Sequence, residues 1–151
     1  MKNYIMTSGI GHGNFQLTSF DDALIKSGVY NYNLVKVSSI LPANAVLKDN
    51  IELQEGSVLF TAYASISSDI KDELLAAAVA VGVPEDPEKP GVIMEHSVHG
   101  TKKQAEEEII KMVKEAMSKR SYAIKEIKVV AVETKSDGRG FVTAYAGLSM
   151  W

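Results

Sequence analysis

Tyr32-Asn33-Leu34-Val35-Lys36-Val37-Ser38-Ser39-Ile40-Leu41-Pro42 is the stretch from which the rest of the chain can be read. Leu34, Val35, Val37 and Ile40 supply β-compatible bulk, and Pro42 ends the strand because proline has no amide hydrogen to give a ladder. A strand from about Tyr32 to Ser39 is expected, with two adjacent serines at its end. A serine hydroxyl held against the carbonyl of the preceding residue can attack it, shifting the acyl group from nitrogen to oxygen and leaving a labile ester. β-Elimination at Ser39 would then break the chain after Ser38. The dehydroalanine left behind would tautomerise and hydrolyse to a pyruvoyl group capping residues 40–151. Taken alone, a serine pair more often ends a strand by satisfying nearby backbone groups.

The flanks change that reading. Asn33-Leu34-Val35-x-Val37-Ser38-Ser39-Ile40-Leu41-Pro42, with position 36 left open, resembles the processing site of the pyruvoyl-dependent arginine decarboxylases. The resemblance extends upstream to Leu17-Thr18-Ser19-Phe20-Asp21-Asp22-Ala23-Leu24 and Gly28, and downstream to Gly91-Val92-Ile93-Met94-Glu95. It implies self-cleavage between Ser38 and Ser39 into residues 1–38 and 39–151, and a covalent pyruvoyl cofactor derived from Ser39. The activity implied is conversion of L-arginine to agmatine and carbon dioxide. The fold implied is α+β, two packed and largely antiparallel sheets flanked by helices as an αββα sandwich, assembled as a homotrimer with sites between neighbouring subunits. Two alternatives stay open: another basic amino acid as substrate, or an unprocessed homologue serving as a binding or assembly module.

The bulk composition is compatible with a single such domain. At 151 residues the chain can bury a substantial core, and 46% hydrophobic with 23% charged residues describes an ordinary globular protein. No apolar run approaches a membrane span. A net charge of −3 argues against nucleic acid as the main partner. The absence of cysteine excludes disulfides, thiolate catalysis and cysteine-ligated zinc. The N-terminus lacks a secretory-type apolar core, so a cytoplasmic location is the default expectation.

Working outward from the key strand, residues 2–7 read as a strand and Ser8-Gly9-Ile10-Gly11-His12-Gly13-Asn14 as a glycine-rich turn. Thr18 or Ser19 can cap a helix to about Lys26, with Asp21 and Asp22 in its first turn and Gly28 just past its end. Residues 43–56 read as a polar connection, and Ser57 to Ile66 as a long strand. Glu73 to Val83 is ambiguous: its leucines and alanines favour helix, whereas its valines and the short link before it favour a hairpin partner for the preceding strand. The resemblance tips it to strand, with small alanines that let another layer or subunit approach.

Pro84, Pro87 and Pro90 mark a loop, and Gly91 to Val98 a strand that delivers Glu95. Thr101 to Gln104 looks like a capping box opening a helix over 101–120, with Ala105, Ile109, Met112, Ala116 and Met117, and Val113 beside them, as its buried stripe. Tyr122 to Thr134 and Gly140 to Met150 read as strands joined by Ser136-Asp137-Gly138-Arg139, a hairpin signal.

Decarboxylation of an α-amino acid leaves electrons on Cα that no ordinary side chain can accept, so a cofactor must act as the sink. A pyruvoyl ketone suffices, because it condenses with the substrate amine as an imine. Glu95, delivered by an apolar strand, is a surface carboxylate on its own terms; the resemblance makes it the proton donor. The resemblance likewise puts Asn33 in the active site, where an amide can steady an oxyanion, and leaves Ser38 nearby as a polar contact. Asp21 is either a helix-start charge or the carboxylate that receives a guanidinium. His96 and His99, three apart, lack an evident third ligand, so no metal is assigned.

Overall fold

The computed structural model describes residues 1–151, and its elements follow the hydrophobic periodicity of the chain. In order they are β1 (Asn3–Gly13), α1 (Gln16–Ser27), β2 (Asn33–Lys36), β3 (Ile40–Leu41), β4 (Val46–Leu47), β5 (Val58–Ser68), β6 (Leu74–Pro84), β7 (Gly91–Val98), α2 (Lys102–Lys119), β8 (Ile124–Lys135) and β9 (Phe141–Met150). Five strands pair in the order β2-β5-β9-β1-β4, and four in the order β3-β7-β6-β8. The β1–β4 and β2–β5 pairs are parallel, and the others antiparallel. α1 packs on the outer face of the five-stranded sheet and α2 on that of the four-stranded sheet, which gives the expected αββα sandwich. No helix is long and apolar enough to cross a membrane.

β6 shows why the layers stack. Leu75, Ala77, Val79 and Val81 enter the core between the sheets, whereas Ala76, Ala78 and Ala80 face α2. Period-two alternation with apolar residues on both faces requires cover on both sides. Strand is therefore the correct state for this segment, and its small residues seat another layer: a Cβ on Gly82 would crowd Val113 and Met117. α2 is one residue shorter at each end than expected, and the Thr101 hydroxyl accepts the Gln104 amide at 3.1 Å. Ala105, Ile109, Val113, Ala116 and Met117 are buried, while Met112 remains half-buried.

The glycine-rich segment 8–14 is strand rather than turn up to Gly13, where β1 ends, and only Asn14 bends away. Gly9, Gly11 and Gly13 share one face of β1, and α1 lies directly on it. A Cβ on Gly9 or Gly11 would overlap α1 backbone atoms, and one on Gly13 would crowd Thr18. α1 also starts earlier than expected. Phe15 is its N-cap, the Thr18 hydroxyl bonds back to Phe15, and Asp21 and Asp22 fall beyond the first turn. Its end is as expected, at Gly28 with φ 84°.

The strand expected over Tyr32 to Ser39 is shorter, because the chain leaves the five-stranded sheet after Lys36 and joins the other sheet as β3. The connection 43–56 contributes β4. Neither β5–β6 nor β8–β9 is a hairpin, since each link crosses between sheets. Asp137-Gly138 makes a sharp local turn, but burial of both faces of β6 and β9 decides their partners. Left-handed backbone at Asp72, Gly138 and Gly140 (φ 68°, 77° and 74°) turns the chain out of the sheet. The two links brace each other, with the Asp72 amide donating to Ser136 at 2.8 Å and the Ser136 amide to Glu73 at 2.9 Å.

Candidate active site

Val37-Ser38-Ser39 carries the chain from one sheet to the other. Lys36 is the last residue of β2 in register with β5, opposite Thr61, and Ile40 is the first of β3 in register with β7, opposite Val92. Ser38 is exposed and Ser39 half-buried at this crossing. The Ile40 amide donates to the Ser38 carbonyl at 3.0 Å, and the Ile93 amide to the Ser39 carbonyl at 2.8 Å. An amide bonded to the carbonyl two residues back closes a γ-turn, and the negative φ of Ser39 makes it the inverse form. In that form the central Cβ stands away from the preceding carbonyl carbon. Attack by Ser39 on the Ser38 carbonyl would therefore require rotation about the Ser39 N–Cα bond.

The same register delivers Glu95. One residue beyond the Ile40 and Val92 pair, Ser39 lies opposite Ile93. Glu95 is two residues further along that face, a diagonal neighbour at about 7–8 Å that a long side chain can span. Glu95 Oε1 lies 3.3 Å from Lys36 Nζ, and Oε2 is buried without a protein partner. The Lys36 ammonium sits 4.7 Å from the centre of the Tyr63 ring. Tyr63 packs in turn against Phe20 of α1 and Tyr145 of β9, with ring centres 6.0 and 5.7 Å away. Sequence reasoning gave Lys36 and Tyr63 no role. The available signal was a lone cation between Val35 and Val37, two residues before the serine pair.

Asp21 is exposed on α1, one residue past Phe20, and has no protein partner. Beside it, Gln16, Leu17, Phe20, Tyr63, Ser65 and Ser67 line an open hollow of about 400 Å³. This hollow and the Lys36–Glu95 pair share Tyr63. Asp22 has a structural task, its Oδ2 accepting the His12 amide at 2.8 Å and tying α1 to β1.

Asn33 is not brought to Ser39 of its own chain. Its side-chain amide donates to the Gly56 carbonyl at 2.7 Å, and up to about 20 Å of extended chain separates the two residues. Asn33 shares a face of the sheet edge with Val35, Val58 and Phe60, and this strip is uncovered, the three apolar residues being 44%, 48% and 37% exposed. None of the five principal cavities of the single chain is lined by Ser39, Asn33, Glu95 or Asp21.

The two strand-end histidines are engaged by different carboxylates. His96 Nε2 is 2.5 Å from Glu108 of α2, and His99 Nδ1 is 3.0 Å from Glu73. The bond to His96, and second that to Gln104, holds the Glu108 carboxyl below its ordinary range.

Comparison with known proteins identifies the family. The family model for pyruvoyl-dependent arginine decarboxylase matches residues 3–150. The chain is 37% identical over 146 residues to a pyruvoyl-dependent arginine decarboxylase of Methanococcus maripaludis, covering 97% of this chain and 88% of that one. Identity to the protein of the same name from Pyrococcus abyssi is 40% over 134 residues, with 87% and 84% covered. For the one from Methanocaldococcus jannaschii it is 34% over 146 residues, with 97% and 87% covered. Matched almost from end to end, with the serine pair at its sheet crossing, this chain belongs to the pyruvoyl-dependent arginine decarboxylase family, whose cofactor is a covalently bound pyruvoyl group.

Proposed function

We propose that the chain cleaves itself between Ser38 and Ser39 into residues 1–38 and 39–151, and that the mature protein decarboxylates L-arginine to agmatine and carbon dioxide. The observation that carries this reading is the β3–β7 register, which sets Ser39 diagonal to Glu95 while each side of the scissile bond is anchored in a different sheet. A pyruvoyl group fits at residue 39. The carbonyl held by the Ile93 amide is retained on cleavage, and the Ser39 amide nitrogen that is lost takes part in no backbone hydrogen bond. When formed, the group supplies the electron sink that loss of carbon dioxide demands.

The chain's own residues then have distinct tasks. Glu95 gives a proton to the substrate carbon, and Asp21 pairs with the guanidinium. Ser38 stays beside the site as a polar contact. Asn33 donates to the oxyanion of the cleavage step. Because Asn33 stands on the uncovered strip with Val35, Val58 and Phe60, it serves the Ser39 of a neighbouring copy. This supports a homotrimer with sites between subunits. We read the enzyme as cytoplasmic, in keeping with a cysteine-free chain.

Intact mass measurement tests the reading. Two fragments, 1–38 and 39–151, with the larger blocked to N-terminal sequencing, are expected. A single full-length species inert towards amino acids overturns it. Separate incubation with arginine, lysine, ornithine and histidine tests the substrate, and arginine as the poorest of the four removes the role given to Asp21.

A further inference from the structure

Glu95 is held by one oxygen. Lys36 Nζ engages Oε1 at 3.3 Å, while Oε2 is enclosed and unpartnered. An enclosed carboxylate oxygen without a partner calls for an explanation, and a group that arrives only with substrate provides one. An isolated exposed ion pair would hold such a carboxyl only weakly. This pair is not isolated, because the Tyr63 ring lies 4.7 Å from the ammonium and is itself packed against Phe20 and Tyr145. Lys36 also stands at the end of β2, on the opposite sheet from Glu95. Its side chain therefore spans the gap that Val37-Ser38-Ser39 crosses, and it remains there after the peptide is cut.

We propose that Lys36 is a positioning residue for the decarboxylation, fixing the Glu95 carboxyl by one oxygen so that the other delivers its proton to the substrate carbon. This rests on the reading of Glu95 as the proton donor. Where the proton goes decides the product. On the substrate carbon it gives the amine. On the former ketone carbon of residue 39 it gives an aldehyde instead: the substrate carbon is oxidised, the ketone carbon is reduced and keeps the amino group, and carbon dioxide leaves in either case. Residue 39 then becomes an alanine, the enzyme is spent, and the fragment opens to N-terminal sequencing. A loosened Glu95 shifts the balance to this second course.

The test uses the full chain with Lys36→Met and Lys36→Gln, at a side chain 54% exposed and outside the core. Complete cleavage is expected, with kcat reduced on the order of 10²-fold and KM within about threefold. Aldehyde and an alanine at residue 39 should both rise above the parent level, and Lys36→Arg should return the product ratio towards the parent. Folded Lys36→Met and Lys36→Gln chains that stay uncleaved would move Lys36 into the cleavage step and overturn the proposal. A parental product ratio in both variants also overturns it, provided Glu95→Gln disturbs that ratio. A parental ratio in Glu95→Gln removes the proton donor itself, and with it the reading beneath.

Discussion

The Ser39 carbonyl oxygen and the Ile93 amide nitrogen are 2.8 Å apart, and this bond ties residue 39 to β7 independently of the peptide before it. On the other side of the Ser38–Ser39 bond, Val37 still donates to Thr61 of β5 at 3.3 Å. The crossing is therefore a place where the chain can be cut without releasing either end from its sheet.

Cleavage should change stability little. Residues 1–38 supply β1, which lies between β9 and β4, together with α1 and β2, so the short fragment is woven into the sandwich. Mature protein and an uncleaved Ser39→Ala chain should melt within about 5 °C of each other, a difference of 1–2 kcal/mol for a domain of this size. Calorimetry checks this, and the fragments should co-elute on gel filtration until denaturant is added.

Asp21→Asn should raise KM for arginine about 30- to 100-fold, the loss of one charge-assisted hydrogen-bonded pair, with the melting temperature unchanged because Asp21 has no protein partner. Asp22→Asn makes the control. It weakens the bond to the His12 amide and should cost about 1 kcal/mol of stability with KM unaltered. Steady-state kinetics and melting of the two variants separate a substrate carboxylate from a helix anchor.

Much of the architecture was legible because it is written in local periodicity. Gly91 to Val98 and the Thr101-capped helix lie where their patterns put them. Pairing was not legible in the same way. Asp137-Gly138 announces a turn, but it carries no information about which faces of β8 and β9 will be buried. The alternate glycines of β1 were misread for a related reason: their missing side chains matter to α1, which lies on them, and not to their own backbone angles. At the candidate site, Ser39 and Glu95 were named through family resemblance, and what the structure adds is their diagonal placement in the β3–β7 register. The tie between Lys36 and Glu95 bridges two sheets and depends on a register that neither segment encodes alone.

Gly11→Ala should destabilise the fold by about 3 kcal/mol, at the upper end for overpacking, because the added Cβ overlaps the backbone of Ala23 and Ser19 rather than the tip of a flexible side chain. α1 must then lift from β1, which carries Asp21 and Phe20 with it. Denaturant titration of the uncleaved Ser39→Ala background measures the loss without interference from cleavage, and a rise in KM of the cleavable Gly11→Ala chain should accompany it.

The acid limb of stability should contain a contribution from Glu108. Its carboxyl is held below its ordinary 4.5 by the bond to His96 and then by that to Gln104. A group whose folded value is depressed adds stability above the unfolded value, and that contribution disappears as pH falls through the folded one. Replacing Glu108 by Gln should accordingly lower the melting temperature near neutral pH, and the gap between variant and parent should close below 4.5. Because His96 faces α2 while its neighbour Glu95 faces Lys36, the substitution should leave the ratio of agmatine to aldehyde unchanged at every pH where the protein stays folded. A melting series with product analysis at each pH tests both halves. A gap that stayed open at pH values where the Glu108 carboxyl is already protonated would show that the His96–Glu108 bond is not what lowers it.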